Sequence, residues 1–550
     1  MVEVQKKLND VIQGDVACDS ATLRAHSKDT SIFEVMPKIV VFPKDANDVK
    51  EVVQFVNRYK DEYPELSITA RAAGSDMTGG PLNESIILSC TRYMHAGTFN
   101  AKDMTIAVEP GLYYRDLEHS ILPRGVFLPS YPASKSLCAL GGMVMNNSGG
   151  ERSLRYGQTR KFVRGLRMVL SDGNEYDVVP LSRDELEVKM ARDTFEADLY
   201  RKTFALLEKH YELIRAAKPK TSKNSAGYAL WDVWNRDTNV FDLTQLFTGS
   251  QGTLGVMTRA KLSVIKEKPY RRLIALFFKS WDDLPEVVNR LLPFDPESLE
   301  TFDDATLKLG IRFMPEIARK VGVSLLSFLF KFLPEALISI RMGAFPKLIV
   351  LVELSEDTHG EIERKTKGVI EVLSGIPVLH RVLLKESDAK KYWTMRRESF
   401  ALLRKHVSKK RTVPFIDDFC VLPERMPEFL PKALRILESH GIKANIAGHA
   451  GSGNYHIIPL MDLTDTDIRN TIPVVADSFY HLVHEYGGTI TAEHNDGIIR
   501  TPYLEEMFGS EVYALFREVK KIFDPRGIFN PGKKVGGSKE YGKRHISITQ

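Results

Sequence analysis

Three loops rich in glycine, serine and threonine, each beside a predicted strand, constrain the fold of this chain most. They span residues 71–80 (RAAGSDMTGG), 132–150 and 247–255 (FTGSQGTLG). Glycine lets backbone amides approach a ligand closely, and consecutive N–H groups form a concave site for anions such as a pyrophosphate. None of the loops is GxGxxG or a P-loop, so a nicotinamide-type Rossmann site and a P-loop nucleotide site are both unsupported. One such loop would be a turn, but three together predict a site for a large phosphate-bearing cofactor.

Two short segments near the C-terminus carry three histidines and a glutamate. His449 and His456 lie in GHAGSGNYH, and Glu493-His494 follows further on. Neutral imidazole and carboxylate are the usual ligands of a zinc- or manganese-type divalent ion. Two histidines seven apart would face opposite sides of an uninterrupted strand, so the glycine loop between them must turn both side chains to one point. The alternative is a glycine turn with two incidental histidines.

Hydrophobic periodicity predicts two parts that join near residue 270. The first part has a helix at 45–57 capped by Asp45 or Asn47, strands at 66–70, 86–88 and 105–108, a hairpin turning at Asp172-Gly173, and about 30 largely helical residues after Ser182. The second part repeats a strand–helix–strand unit, at 273–278, 284–292 and 299–302 and again at 348–354, 360–373 and 378–384. This repeat predicts a single sheet with helices on one face.

An apolar stretch at 321–345 interrupts this repeat. Lys331, Glu335 and Arg341 break its apolar character and Pro334 would kink a helix, so it is a poor transmembrane span. We favour a buried or domain-capping helical hairpin. The alternative is an amphipathic element that lies on a membrane surface.

Composition narrows the class of protein. A chain of 550 residues exceeds one core, so two or three domains are expected. A net charge of +5 does not favour nucleic acid as a partner. The four cysteines are far apart and form no CxxC, which fits a reducing cytoplasm and excludes a four-cysteine iron–sulfur cluster. The first ten residues are polar and carry no signal peptide, so we expect a cytoplasmic protein, with peripheral contact to the inner membrane face as an alternative.

Six motifs in one order connect these features to a known family. They are RAAGSDMTGG, ALGGMVMNNSGGERSLRYG, FTGSQGTLGV, GHAGSGNYH, AEHNDG and FDPRGIFNPGK. With them the chain resembles the FAD-binding oxidoreductases of the vanillyl-alcohol oxidase type (PCMH-type), in the branch that contains D-lactate, glycolate and D-2-hydroxyglutarate dehydrogenases. The resemblance runs from about residue 30 to residue 535.

The resemblance implies an α+β fold, in which a two-subdomain PCMH-type FAD-binding domain is followed by a cap domain with an antiparallel sheet and helices. The implied divisions are a helical N-terminal segment (1–30), the FAD-binding domain (31–269), the cap (270–490) with the apolar insert at 321–346, a segment returning to the flavin (491–535) and a polar tail (536–550). We expect the tail to be frayed.

The resemblance also implies the residues that hold FAD. By motif position these are Arg71, Gly74, Ser75, Thr78, Gly79, Gly80, Pro132, Ser134, Gly141, Gly142, Asn146, Ser148, Gly149, Gly252, Thr253, Gly255, Asn530 and Lys533. Relatives that attach FAD covalently do so through a histidine in the first loop, where this chain has Ser75-Asp76. Non-covalent FAD is therefore expected.

The family's catalytic positions carry over to a compact set of residues. The divalent metal ligands would be His449, His456 and Glu493, the base His494, the carboxylate-binding arginine Arg396, and substrate contacts Asn454 and, more loosely, Lys410. The implied reaction oxidises a small D-2-hydroxy acid to the 2-oxo acid with hydride transfer to flavin N5. Electrons would then pass to a separate quinone, electron-transfer flavoprotein or iron–sulfur subunit. Because Arg396 sits beside Arg397, a solvated helix face is the alternative for this pair.

Two departures and two rival functions stay open. Ser452 stands where the family has aspartate, which we expect to weaken support for a metal-binding histidine. Asn495-Asp496-Gly497 follows the Glu-His pair where glycine is usual, as in the subgroup that uses iron–sulfur partners. The rivals are a flavoenzyme of ether-lipid (alkylglycerone-phosphate) synthesis with the same fold, and a non-catalytic flavoprotein electron-transfer subunit.

Overall fold

The computed structural model describes residues 2–321, 333–385, 388–396 and 410–548. Its helices and sheets confirm the α+β class that the resemblance implied. The first sheet has four strands, which in spatial order are Asp15–Ala17, Ile39–Phe42, Ile86–Ser89 and Ile68–Arg71. The last three are parallel and the first is antiparallel, so the segment 1–30, predicted to be helical, also contributes a strand beside its helices Val2–Asn9 and Ser20–His26.

The helix Ala46–Tyr59 shows why this part of the chain folds locally as predicted. Asp45 precedes the helix and its side chain accepts hydrogen bonds from the backbone N–H groups of Asn47 and Asp48. This cap satisfies amides that the first helical turn leaves unpaired. The valine stripe on one side of the helix, including Val49 and Val52, is fully buried in the core of the first sheet.

The second sheet is antiparallel and has five strands. In spatial order they are Gly97–Asn100, Thr105–Val108, Val256–Ser263, Val163–Val169 and Glu175–Val178. The predicted hairpin at residues 172–173 is confirmed, and Gly173 adopts the φ of +81° that its turn requires. Two small ladders join Val126–Phe127 to Ile265–Lys266 and Leu181–Ser182 to Val240–Phe241 and Trp234–Asn235. The helices of this part are Tyr114–Ile121, Leu140–Asn146, Ser153–Tyr156, Arg183–Met190, Phe195–Lys209, Tyr211–Ala216 and Thr244–Phe247.

The third sheet, which we call the cap sheet, is antiparallel and holds all the strands of the predicted repeat. Its main path runs Leu379–Leu383, Tyr270–Phe278, Leu348–Glu356, Ser298–Asp303, Lys443–His449, Asn454–Met461 and Arg411–Thr412, and Phe419–Cys420 also pairs with Asn454–Met461. The single sheet was predicted, but the expectation of helices on one face only is wrong. Leu273, Ala275 and Phe277 share a core with Leu307 and Met342 of the helices Asp304–Arg312 and Leu333–Met342.

The opposite face of the cap sheet packs in the main core of the molecule. There Ile274 and Leu276 join the helices Leu284–Leu291 and His359–Val372, which the repeat predicted. Both faces of the central strands are thus covered, so these strands are continuously apolar rather than alternating.

The apolar insert is only partly described, because residues 322–332, including Lys331, lie outside the described ranges. The helix Leu333–Met342 buries Met342 on the cap sheet and exposes 58% of Leu337 and 75% of Ile340. The described portion therefore caps the sheet with one side only. No helix among the described residues combines the length and apolar character that crossing a membrane needs.

The C-terminal segments return to the first sheet. Phe529 lies in the core of that sheet, and the Ile68 N–H donates to the Ile528 carbonyl over 2.7 Å. The helices that precede Phe529 are Met426–Ser439, Thr466–Glu485, Gly497–Arg500, Leu504–Phe508 and Ser510–Phe523. The prediction of a frayed tail is wrong for residues 536–548. They form the helix Lys539–Arg544, and the Ser547 N–H donates to the Ile32 carbonyl over 2.9 Å.

Candidate functional site

One cavity is lined by all three glycine-rich loops and by both histidine segments. Thirteen of the residues predicted to hold FAD lie in its wall, namely Arg71, Gly74, Ser75, Gly80, Pro132, Ser134, Gly141, Gly142, Asn146, Ser148, Gly149, Gly252 and Gly255. The helix Leu140–Asn146 lies within the second loop, and the N–H groups of Leu140 and Gly141 fix its start by donating to the carbonyls of Leu112 and Pro110. The tertiary fold therefore brings together loops that are far apart in sequence.

Two features show that the loop side of the cavity fits a phosphate-bearing cofactor. A Cβ added at Gly142 would meet its nearest protein atom, the Ala72 Cβ, only at 3.9 Å, so the missing side chain leaves space for a ligand rather than for packing. Arg71 is 92% buried from solvent, and its Nη1 has no hydrogen-bond partner among the described residues. A buried cationic donor without a partner suits an anionic group of a bound molecule.

Five residues predicted to hold FAD do not line the cavity but hold the loops from behind. They are Thr78, Gly79, Thr253, Asn530 and Lys533. Asn530 Nδ2 donates to the carbonyls of Gly80 (3.0 Å) and Gln251 (2.7 Å), and Lys533 Nζ donates to the Leu82 carbonyl. Thr253 donates to Ser250 in the third loop. Motif position identified these residues, but their side chains are used inside the protein.

Asp76, which motif matching passed over, ties the first two loops together. Its Oδ2 accepts hydrogen bonds from the N–H groups of Thr78 and Gly80, and its Oδ1 accepts from Asn146 Nδ2 over 2.7 Å. Gly79 donates its N–H to the buried carboxyl of Asp29. Burial and the neighbouring Asp76 raise the pKa of Asp29 to about 7.

The metal-type histidines lie on neighbouring strands of one hairpin. His449 ends the strand Lys443–His449, a short turn follows, and Gly453 with φ of +68° starts the return strand Asn454–Met461. His449 pairs with Asn454, and His456 pairs with Ala447. This offset of two places both rings on the same face, with centroids 5.4 Å apart. The prediction that the glycine loop turns both histidines to one point is confirmed.

Each of these two histidines is held through Nδ1 by a buried carboxylate. His449 Nδ1 donates to Glu300 Oε1 over 2.6 Å, and His456 Nδ1 donates to Asp417 Oδ1 over 3.0 Å. Such contacts set the tautomer and leave Nε2 available as a ligand atom. The expectation that Ser452 would weaken this support is wrong for these two contacts, because the carboxylates come from the strand Ser298–Asp303 and from the loop before the strand Phe419–Cys420.

Glu493 completes a set of donors that fits a divalent ion. One ligand atom each from His449, His456 and Glu493 lie within 4.8 Å of one another, and His449 Nε2 is 3.5 Å from Glu493 Oε2. Two imidazoles and one carboxylate, with room for further ligands from the cavity, make an open catalytic set rather than a closed structural one. Burial raises the pKa of the Glu493 carboxyl, but Lys223 and His449 outweigh burial and hold that pKa well below its usual range.

His494 stands beside this set and faces the cavity. The Asp418 Oδ2 accepts both the Glu493 and His494 backbone N–H groups, at 2.9 and 2.7 Å, which fixes the segment. The His494 ring stacks on His456 with centroids 5.2 Å apart, and its Nδ1 is 3.3 Å from Asp417 Oδ2. Burial lowers the pKa of His494, but Asp418 and Asp417 outweigh burial and raise it to about 9. A cation held next to the ring would oppose this rise.

The remaining predicted substrate contacts divide into one that lines the cavity and two that do not. Arg396 lines the cavity, is buried, and forms an ion pair with Glu300 Oε2. Its burial contradicts the alternative that Arg396 lies on a solvated helix face. Arg397 lies outside the described residues. Asn454 is fully buried behind the wall and donates to Asp418 Oδ1. Lys410 is exposed and is not part of the wall.

Four charged residues of the site were missed from the sequence, namely Lys223, Glu300, Asp417 and Asp418. Asp417-Asp418 carries a usable signal, because two acids interrupt the apolar run Phe415–Cys420 in a segment that reads as a buried strand. Lys223 and Glu300 carry no such signal, since their partners lie 270 and 149 residues away in sequence.

Asn495-Asp496-Gly497, the departure noted after the Glu-His pair, joins the histidine segment to the loops. Asn495 Nδ2 donates to the Asn146 and Gly249 carbonyls, and Asp496 pairs with Lys534 at 2.8 Å. A Cβ at Gly497, which has φ of +53°, would lie 2.2 Å from Thr78 Oγ1. This segment therefore fixes the position of His494 relative to the glycine-rich loops.

Two regions of the chain match families of known proteins. Residues 37–178 match the family described as FAD binding domain, and residues 267–534 match the family described as FAD linked oxidases, C-terminal domain. The first region contains the first two glycine-rich loops, and the second contains the histidine and glutamate cluster. Together the two regions account for most of the chain.

Individual relatives cover nearly all of the chain at low identity. Over 528 residues it is 28% identical to the D-2-hydroxyglutarate dehydrogenase of Escherichia coli (strain K12), an alignment that spans 94% of this chain and 50% of that protein. Over 507 residues it is 26% identical to the D-lactate dehydrogenase of Archaeoglobus fulgidus, spanning 90% and 91%. The chain spans about half the length of the first relative and of three other D-2-hydroxyglutarate dehydrogenases.

Solved structures share the fold. A p-cresol methylhydroxylase with substrate bound superposes with a TM-score of 0.68 at 15% identity and covers 97% of this chain and 96% of its own. An alkyldihydroxyacetonephosphate synthase gives a TM-score of 0.64 at 15% identity, with 96% and 84% covered. At this identity the likeness concerns the fold alone.

Proposed function

We propose that this chain is an FAD-linked oxidoreductase that oxidises a small D-2-hydroxy acid to the 2-oxo acid with the help of a divalent ion. Its regions 37–178 and 267–534 match the FAD binding domain and the C-terminal domain of FAD linked oxidases. One observation carries this proposal: the cofactor loops and the cluster of His449, His456, Glu493, His494 and Arg396 line the same cavity. The names of relatives that act on D-2-hydroxyglutarate and D-lactate support the substrate class.

FAD and a divalent ion would supply the chemistry that side chains lack. When bound, FAD accepts a hydride equivalent and a divalent ion supplies Lewis acidity for the substrate hydroxyl. The loop residues that line the cavity would hold FAD without a covalent bond, and His449, His456 and Glu493 would hold a zinc- or manganese-type ion.

The protein's own groups then have separate tasks. His494 removes the hydroxyl proton, and Asp417 next to its Nδ1 steadies the ring while leaving Nε2 free to accept that proton. Arg396 orients the substrate carboxylate, since it lines the cavity and its Nε is buried without a hydrogen-bond partner among the described residues. Glu300 holds Arg396 and His449 at once, so the carboxylate site and the metal site share one support.

The electron acceptor is proposed to be a separate quinone, electron-transfer flavoprotein or iron–sulfur polypeptide. The four cysteines Cys18, Cys90, Cys138 and Cys420 are all unbonded and dispersed through the described fold, three of them buried. They are too far apart to hold a cluster together, which supports an acceptor outside this chain, and fast reoxidation of the flavin by oxygen alone would count against that proposal.

The test is anaerobic reduction of the flavin by candidate acids. Purified protein would be mixed with D- and L-forms of lactate and 2-hydroxyglutarate and with glycolate, each with and without a metal chelator, while flavin absorbance is followed. We expect bleaching by one D-acid that chelation abolishes and added Mn²⁺ or Zn²⁺ restores.

Matched histidine variants link the result to the site. His494→Gln should slow bleaching by two orders of magnitude or more, about the contribution of a general base. His481→Gln removes a histidine whose side chain is 65% exposed and should leave the rate unchanged. A flavin that no hydroxy acid reduces would refute the proposal and strengthen the ether-lipid or electron-transfer rivals. Reduction that survives chelation would remove the metal from the proposal.

A further inference from the structure

A buried lysine from the FAD-binding part of the chain contacts the proposed metal ligand Glu493. Lys223 Nζ is 2.5 Å from Glu493 Oε1 and 3.3 Å from the Gly150 carbonyl, and only 2% of the Lys223 side chain is exposed. The loop that carries Lys223 is fixed on both sides, because Ser222 donates to the Ser452 carbonyl and the Ser225 N–H donates to Thr491. The ammonium group is therefore held in place beside the carboxylate.

This contact divides the two oxygens of Glu493 between two partners. Oε1 faces Lys223, whereas Oε2 faces His449 Nε2 at 3.5 Å, on the side of the ligand set. An ion placed among His449, His456 and Glu493 would meet a carboxylate that offers one oxygen and has already given part of its charge to an ammonium group. A structural metal site gains nothing from such an arrangement, because a nearby cation repels the ion and weakens its ligand.

We propose that Lys223 lowers the affinity of this site for the divalent ion and keeps the bound ion a strong Lewis acid. The inference rests on the proposed function, since it assumes that the cluster binds an ion. Lys223 restricts Glu493 to binding through Oε2 and withdraws electron density from it, so the ion receives less charge from its ligands and polarises a bound hydroxyl more strongly. In the ion-free protein the same lysine compensates the buried charge of Glu493, which would otherwise lack its closest cation.

The sign of this effect separates it from a purely structural role. Removing a residue that merely props up a metal ligand weakens metal binding, typically by about 10–100-fold. Removing Lys223 should instead strengthen binding, because the repulsion ends and both oxygens of Glu493 become available. A catalytic penalty should accompany the tighter binding.

The experiment measures Mn²⁺ affinity of the purified flavoprotein by equilibrium dialysis against a competing chelator. We expect Lys223→Met to bind Mn²⁺ about tenfold more tightly than wild type. Lys223→Arg keeps the charge and should stay near the wild-type affinity, and Lys220→Met removes an exposed lysine of the same loop and should match wild type. Lys223→Gln provides a second uncharged variant if the methionine variant does not fold, with flavin content per chain as the check on folding.

The outcomes distinguish the two proposals. Tighter binding in Lys223→Met or Lys223→Gln, with Lys223→Arg unchanged, supports the inference. Unchanged or weaker binding in both uncharged variants overturns it while leaving the metal site intact. A wild-type protein that binds no Mn²⁺ or Zn²⁺ would overturn the metal-assisted function itself and the inference with it.

Discussion

Glu300 offers the sharpest test of how the site is held, because one buried carboxylate contacts both His449, a proposed metal ligand, and Arg396, the arginine proposed to bind the substrate carboxylate. Its side chain is fully buried, Oε1 accepts from His449 and Oε2 pairs with Arg396. Burial raises the pKa of Glu300, but Arg396 and His449 outweigh burial and keep that pKa below its usual range. The carboxylate is therefore ionised at neutral pH and balances the charge of Arg396.

Glu300→Gln keeps the shape of the side chain but removes that charge and one acceptor. Leaving a buried guanidinium without its partner costs about 3–5 kcal/mol. At about 2–4 °C per kcal/mol for a unit the size of the cap, the unfolding temperature should fall on the order of 10 °C. The single amide oxygen of the glutamine cannot serve both Arg396 and His449, so the hold on His449 should weaken and Mn²⁺ affinity should fall by about 10–100-fold.

Scanning calorimetry of the metal-free protein and dialysis against Mn²⁺ measure the two effects separately. Glu286→Gln is the matched control, because it breaks an exposed ion pair. The Glu286 side chain is 56% exposed and that of its partner Arg290 is 40% exposed. That pair contributes about 0–1 kcal/mol, so its loss should scarcely move either value. If Glu300→Gln changed stability and affinity no more than Glu286→Gln does, the argument that Glu300 supports the site would be refuted.

Four further predictions concern the loops and the second carboxylate. Gly142→Val should fold but lose most of its flavin, measured as absorbance per chain, because its side chain would project into the cavity rather than into protein; full flavin content would contradict this. Gly497→Ala should lower the unfolding temperature more than Gly441→Ala, since both have positive φ but only the former places its Cβ against protein atoms. Burial lowers the pKa of Lys533 to about 8, below its unfolded value near 10.5. The free energy of unfolding of the wild type should therefore increase by about 3 kcal/mol as pH rises from about 8 to about 10.5. Denaturant titrations of Lys533→Met should lack that gain. Asp417→Asn removes the negative charge that accepts from His456 Nδ1 and lies 3.3 Å from His494 Nδ1, so both Mn²⁺ affinity and the rate of flavin reduction should fall by about tenfold or more. A variant that lost neither would show that this carboxylate is dispensable.

Local structure was predictable where a pattern depends on near neighbours. The strand–helix–strand repeat of the cap appears within three residues of its predicted bounds, and Asp45 caps the helix that follows it. The histidine hairpin followed from two histidines and the glycines between them. In each case the signal lies within about one turn or one hairpin, where backbone geometry fixes which side chains share a face.

Tertiary packing overrode the sequence-based expectation in three places. The residues after 536 are polar, yet a short helix and the Ser547 hydrogen bond hold them against the N-terminal part. The cap sheet is covered on both faces because the helix Asp304–Arg312 and the helix Leu333–Met342 of the apolar insert supply a second layer. Asn454 lies in a catalytic motif, but its amide is used to hold Asp418.

The sequence by itself determined that this chain builds three cofactor loops, a pair of histidines on one hairpin and a Glu-His pair, because glycine, imidazole and carboxylate have few other uses at those spacings. Only the tertiary structure decided that these parts line one cavity. It also placed the carboxylates of Glu300 and Asp417 beside the two histidines, and the ammonium group of Lys223 beside Glu493. The physical reason is that strand register and the packing of one sheet on another, not neighbouring residues, set contacts between groups that are 270 and even 450 residues apart in sequence.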